Sequence, residues 1–228
     1  MLEKGNEMRK FMILPLAGSL ALGFAGPVAA APNISNTSGG GESIYGEWSS
    51  DGTYGYVFLA EATGYGGSGE IYQEAGEWVL CPPTEGAPVV DKPAPMDTTP
   101  GDEYYGFVGT RTWGYAYDVT IDFSRRMETG SATGSVELYT DTVDECNGDY
   151  GDDPVAEVGT LAVDVTGVGP LASFRWTSHY KIPSQFNGHE NYRGKERQAI
   201  GSIVAGSSID ADFGAGYIQQ VTWTVHTN

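Results

Sequence analysis

The chain has 228 residues, with 12 Lys and Arg against 30 Asp and Glu and a formal net charge of −18 at neutral pH. A surface this acidic repels nucleic acid and anionic membrane, which excludes both as partners. The length allows one β domain or two very small ones, and two cysteines and three histidines are its scarcest reactive side chains.

Lys4, Arg9 and Lys10 precede an apolar run over residues 11–26, and Val28-Ala29-Ala30 follows with small residues where a signal peptidase reads. This layout predicts a secretory signal peptide over residues 1–30, with Met8 as an alternative start. Cleavage after Ala31 is disfavoured because Pro32 would then follow the scissile bond. No comparably apolar stretch follows, so no membrane span is expected. The mature chain is expected to be secreted, extracellular or in the cell envelope. Removing residues 1–30 takes away Lys4, Arg9, Lys10, Glu3 and Glu7 and leaves nine basic against 28 acidic residues.

Residues 31–42, with Asn33, Asn36, Ser38 and three consecutive glycines, read as a flexible tail. The sequons at Asn33 and Asn36 matter only in a host that glycosylates. From residue 43 to 228 the pattern is that of a single β domain. Trp113, Tyr115, Tyr117, Val119, Ile121 and Phe123 alternate with Gly114, Ala116, Asp118, Thr120 and Asp122. Side chains alternate faces along a strand, so the odd positions are predicted to be buried and the even ones wet. The same alternation recurs in Tyr54, Tyr56 and Phe58, in Val136 and Leu138, and in Leu161, Val163 and Val165. Later strands carry it in Phe174, Trp176, Tyr180 and Ile182, and in Val221, Trp223 and Val225. Gly, Asn, Asp and Pro punctuate the intervals. After the signal peptide no helical period is sustained. The expected fold is all-β, an antiparallel β-sandwich, with a closed or partly open antiparallel barrel as the alternative.

Pro82, Pro83, Pro88, Pro93, Pro95 and Pro100 interrupt the pattern and predict a surface excursion over residues 82–101. It is not read as a domain linker, because residues 33–80 alone would bury too little to stand by themselves. Cys81 and Cys146 allow one pairing, and export favours a disulfide. No CxxC or closely spaced Cys/His set suggests zinc, and no metal ligands are assigned. Asp141, Asp144, Glu145, Asn147, Asp149, Asp152 and Asp153 supply oxygen chemistry suited to Ca²⁺, but their spacing is not that of an EF-hand. A solvated acidic turn is the favoured account, and no cofactor is expected.

Five of the nine mature cations, Arg175, Lys181, Arg193, Lys195 and Arg197, fall within 23 residues, together with His179 and His189. If Phe174 and Trp176 face the core, Arg175, Thr177, His179 and Lys181 line the other side. A hairpin turning at Asn187-Gly188 would pair Ile182 with Arg193 and Tyr180 with Lys195, placing charge on the buried face. A bulge, or a loop over residues 183–197, is therefore expected. With Phe186 and Tyr192 added, this region is the candidate contact surface. Exposed rings among Tyr45, Trp48, Tyr65, Tyr72 and Trp78 are the alternative, since such rings stack sugars.

Catalysis has little support. Ser68 lies in Gly66-Gly67-Ser68-Gly69, the wrong spacing for a nucleophile elbow. His189-Glu190 lacks the second histidine of a zinc protease, and no catalytic residue is assigned. The expected function is a non-catalytic binding or surface-interaction module for a glycan or protein ligand. The alternative is a small secreted hydrolase using carboxylates or a histidine.

Overall fold

The computed structural model describes residues 35–81, 104–149, 151, 154–182 and 186–227. The predicted signal peptide and the proline-rich excursion lie outside them. Eight strands form in chain order: β1 (Ser35–Ser50), β2 (Thr53–Ala62), β3 (Gly66–Cys81), β4 (Tyr104–Phe123), β5 (Thr129–Asp144), β6 (Val155–Ile182), β7 (Phe186–Ala205) and β8 (Ile209–Thr227). Each pairs antiparallel with the next, and β1 pairs with β8 from Ser35↔Thr227 to Glu47↔Ala215. The single sheet therefore closes on itself, giving the barrel form of the all-β antiparallel expectation. Among the described residues the one helical element is a 3-10 turn, Glu145–Asn147.

Residues 35–42, expected within a flexible tail, lie in β1. Ser35 through Glu42 pair in register with Thr227 through Gln220. The glycines that suggested flexibility make room for a ring: a Cβ on Gly39 would lie 2.4 Å from the Trp223 indole. Small residues opposite a large aromatic let the ring lie over the backbone and pin the register. Between β1 and β2, Asp51 and Gly52 both take positive φ, 44° and 78°, as a two-residue hairpin turn requires.

Ile44, Val57, Leu59, Ile71, Val136, Leu138, Leu161, Val163, Ile203 and Ile218 point into the lumen and are each 2% exposed or less. Burying one such side chain contributes roughly 1.5–3 kcal/mol. The lumen of an eight-stranded barrel is only wide enough to be filled by side chains, so large residues must face small ones. At Gly114 an added Cβ would come 2.1 Å from the Glu137 carbonyl and 2.9 Å from the Leu138 side chain.

That width corrects the predicted β4 face. Trp113, Tyr115 and Tyr117 lie on the outer wall, with Tyr115 59% exposed, whereas Gly114 and Ala116 face the lumen. The register shifts between Tyr117 and Thr120, where Asp118 has φ 53°. This bulge turns the strand over, and Val119 and Ile121 then face inward at 2% and 4% exposed. The Ile121 N–H, released from the ladder, donates to the Glu61 carboxylate at 2.7 Å. In β2 the same inversion holds: Val57 and Leu59 are buried, whereas Tyr54 is exposed and Tyr56 and Phe58 are half-buried. Leu161, Val163 and Val165 are buried as predicted.

The displaced aromatics form a ladder around the outside. Tyr56, Tyr72, Trp113 and Tyr139 lie directly opposite one another across β2, β3, β4 and β5. Tyr56 stacks on Tyr72 at 5.7 Å between ring centroids and Trp113 on Tyr139 at 6.1 Å. Such pairs contribute about 0.5–1.5 kcal/mol beyond their buried area. Hydroxyls of Tyr45, Tyr72, Tyr139 and Tyr192 each donate to a glutamate two residues away, Glu47, Glu74, Glu137 and Glu190. Burial first, and then the facing carboxylate, pushes the Tyr45 and Tyr72 hydroxyls well above the ordinary phenol range.

The strands overshoot at both ends. At one end β3 and β4 continue past the barrel, and a disulfide ties Cys81, the last residue of β3, to Cys146 in the 3-10 turn after β5, with Cα atoms 5.1 Å apart. Arg111 lies 2.9 Å from both Glu74 and Glu145, and Glu145 also accepts the Phe107 N–H at 3.0 Å. Closing a loop of 65 residues restricts the unfolded chain by about 4 kcal/mol on the chain-entropy model. A Cys81→Ser/Cys146→Ser double variant is therefore expected to lose about 2–4 kcal/mol in urea unfolding of the folded barrel. A midpoint within error of the parent would show that Arg111 and Glu145 hold this end without the bond.

Candidate binding face on the β6–β7 extension

At the other end, the turns at residues 63–65 and 124–128 form a rim. Beyond it β6, β7, β8 and the start of β1 continue as a curved flap. Between Val168 and Ala172 the β6–β7 register shifts by a bulge with Gly169 at φ 71°. Past it, Phe174 pairs with Gly194, Arg175 with Arg193, Trp176 with Tyr192 and His179 with His189, and Ile182 pairs with Phe186. Residues 186–197 are therefore strand and not the expected loop. The β6–β7 pairing already includes Ile182↔Phe186 and Lys181↔Asn187, so Asn187-Gly188 lies within the ladder. That register removes the clash of charge with core that a turn at Asn187-Gly188 would have created.

Alternation then sorts the region into two faces. Arg193, Lys195 and Arg197 share the side of Ala199, which is buried in the lumen. Arg175, Thr177 and His179 lie opposite residues of that side. The structure thus brings Arg175, His179, His189, Arg193, Lys195 and Arg197 onto one side of the extension. Tyr192 does not join them. It is buried on the outer face, where Trp176 stacks on it at 4.7 Å. The side chains of Lys181 and Phe186 lie outside those described.

The individual cations differ. Arg197 spans the rim, donating to the Gly169 carbonyl at 3.1 Å and the Arg126 carbonyl at 3.3 Å. It is a bracket between turns. Arg175, Arg193 and Lys195 are exposed. The two neighbouring acids that could neutralise them point the other way: Glu190 accepts the Tyr192 hydroxyl at 2.7 Å, and Glu196 accepts from Gln219 at 3.3 Å. Among the described residues the recorded ion pairs are both those of Arg111. Small polar side chains complete the face, with the Thr177 hydroxyl donating to Asn191 at 3.0 Å.

Nearer the lumen, Gln220 donates to Glu42 at 2.7 Å, and Glu42 lies opposite Glu61. Burial, partly offset by Gln220, raises the Glu42 carboxyl above its usual range, and Glu61 and Asp122 add to the rise. Sequence reasoning passed over Glu42, Glu61 and Gln220, because only the pairing of β1 with β2 and β8 makes them neighbours.

All three histidines of the chain sit in one row toward the tip of this face. His179 lies opposite His189 and His189 opposite His226. The ring centroids are 5.8 Å and 4.5 Å apart, with the second pair stacked at 22°. As placed the rings lie side by side, and among the described residues no three His, Cys, Asp or Glu side chains surround a common point.

The other candidates fare as follows. Trp48 is buried in the lumen and donates to Gln73 at 3.2 Å, correcting its expected exposure. Tyr45 and Tyr72 are half-buried, and each has one ring face covered by a neighbouring tyrosine, Tyr217 and Tyr56. Tyr65 and Trp78 are exposed. In the acidic stretch, Asp144 caps the 3-10 turn by accepting the Asn147 N–H at 3.2 Å, and Asp149 accepts the Gly151 N–H at 3.1 Å. Asp141 keeps one buried oxygen without a hydrogen-bond partner, and Asp152 and Asp153 lie outside the described residues. An outer recess of about 600 Å³ is lined by Asp164, Ser202, Phe213 and Asp212 among others, with no histidine.

No helix among the described residues is long and apolar enough to cross a membrane. Comparison with protein-family models, curated proteins and solved structures finds no match to this chain.

Proposed function

We propose that this chain is an exported, non-catalytic binding module whose β6–β7 face receives an anionic ligand, a carboxylated glycan being the class that fits best. One observation carries the reading: Arg175 and Arg193 lie directly opposite each other, both exposed, with Lys195 two residues on and the nearby acids turned away. Like charges directly opposite on a sheet destabilise it. An anion between the guanidinium groups relieves that repulsion and accepts charge-assisted hydrogen bonds from both. Thr177 and Asn191 offer hydroxyl and amide groups alongside, as a sugar ligand requires.

Export rests on the signal-peptide layout of residues 1–30. The barrel's own chemistry supports a life in water: its buried core is mainly apolar, and its outer wall carries Glu47, Glu70, Glu74, Glu137, Asp164 and Asp212. A lipid-facing barrel has the opposite arrangement. The hydrolase reading draws less from the geometry, because the histidine row stands away from the lumen carboxylates Glu42 and Glu61.

The test is binding of oligogalacturonate, with a neutral oligosaccharide of equal length as control, to the parent and to Arg193→Ala and Lys195→Ala variants. A charge-assisted hydrogen bond contributes about 1.5–3 kcal/mol, so each variant is expected to bind at least about tenfold more weakly. Equal affinity for the neutral control, or unchanged affinity in both folded variants, would remove this face as the site.

A further inference from the structure

The histidine row goes beyond the anion-binding reading, because imidazole nitrogens ligate metals and do so without any charge on the ring. We propose that His179, His189 and His226 form a site for a divalent transition-metal ion of the zinc class, with His189 as its central ligand. The row contains every histidine of a 228-residue chain, drawn from three different strands.

The geometry favours convergence. His189 shares the lumen side with Ala199, and His226 shares it with Ile218, both core residues. All three side chains therefore stand on the same side of neighbouring strands. Two imidazoles bound to one zinc through nitrogens about 2.0–2.1 Å from the metal place their ring centres about 5 Å apart. The separations of the two neighbouring pairs, 4.5 Å for His189–His226 and 5.8 Å for His179–His189, lie on either side of that distance, and His179 and His226 must turn inward over His189 to meet the same ion. Rotation about the side-chain torsions, for which exposed His179 has room, turns neighbouring rings from side by side to nitrogen-inward.

Lys181, two residues beyond His179 on the same strand, is the nearest cation to the row in sequence. Arg193 is four residues from His189, about 13 Å along the strand, and this exceeds the Debye length of about 8 Å at physiological salt. The row between them holds Thr177, Asn191 and Thr224, none of them charged. The chain's net charge of −18 raises the local concentration of cations around the molecule. Water would complete the coordination, since three protein ligands leave a zinc ion one open position.

The experiment is calorimetric titration of the full exported protein with Zn²⁺, in 150 mM salt and millimolar Ca²⁺ so that surface carboxylates are already occupied. One ion per chain is expected. His189→Ala should weaken binding at least about tenfold, since even outer-shell partners of metal ligands are worth that much. His179→Ala, at an exposed position, should also weaken it, and Arg193→Ala should leave it unchanged. Circular dichroism confirms that each variant is folded, and His179→Ala keeps the test open if His189→Ala is not. Absence of a calcium-resistant site in the parent, or full affinity retained in the folded histidine variants, would overturn the proposal. Because Arg193→Ala separates the two sites on this face, failure of anion binding alone would count against the proposed function and not against the metal site.

Discussion

A Val119→Asp substitution is expected to destabilise the barrel by at least about 3 kcal/mol, whereas Tyr117→Asp, two residues earlier, should cost less than about 1 kcal/mol. Both positions belong to the same odd-numbered run of β4. The bulge between Tyr117 and Thr120 puts them on opposite sides of the wall, with Val119 2% and Tyr117 36% exposed. A carboxylate at 119 would displace packing among lumen residues and find no partner there. At 117 it would project beside other acids into water. A loss near 3 kcal/mol is a large share of a typical domain's 5–15 kcal/mol, so Val119→Ala provides a milder companion, expected to cost about 2 kcal/mol. Urea midpoints decide the matter. Equal sensitivity at 117 and 119, or greater sensitivity at 117, would place the aromatic run inside the barrel after all.

Alternation by itself names two faces and leaves open which one is buried. In Leu161, Val163 and Val165 the opposite face is Ala162 and Asp164, and hydropathy settles the choice correctly. In β4 the choice lies between Trp113, Tyr115 and Tyr117 on one side and Gly114 and Ala116 on the other, and hydropathy points the wrong way. The deciding quantity is the volume of a closed eight-stranded lumen, which exists only once all strands are paired. The rings then do their work outside, stacked across strands with their hydroxyls on glutamates.

The candidate face shows the same division between what is local and what is not. The crowding of Arg175, Arg193, Lys195 and Arg197 in a chain otherwise poor in cations is a one-dimensional signal, and the β6–β7 register sets these residues on one side of the sheet. The Cys81–Cys146 bond is likewise legible, since two cysteines have one partner each. His226 carries no such mark. It lies 37 residues beyond His189, far outside any metal-ligand spacing, and only the register of β7 with β8 sets the two side by side. Register also explains the misplaced hairpin, because Asn187-Gly188 is a strong local turn signal overridden by the pairing of Trp176 with Tyr192 and of Phe174 with Gly194.

The second large effect is expected where one buried ring lies over glycines of the two neighbouring strands. Phe213 is 2% exposed, and its ring lies over Gly46, where an added Cβ would come within 2.8 Å of two ring carbons. Phe213→Ala is expected to cost about 3–5 kcal/mol through lost burial and the cavity left behind. Gly46→Ala is expected to cost about 1–3 kcal/mol for the opposite reason, overpacking against a ring held by the barrel wall. The contact makes the two changes interdependent. In Phe213→Leu the side chain is shorter, and the methyl of Gly46→Ala then enters space the ring vacated. The double variant Gly46→Ala/Phe213→Leu should therefore be more stable than the sum of the single losses predicts, by at least about 0.5 kcal/mol, the lower end of coupling between touching residues. Additive losses in a urea double-mutant cycle would mean that the ring does not rest on Gly46. A lumen that tolerates either change alone without loss would not be packed by large residues set against small ones.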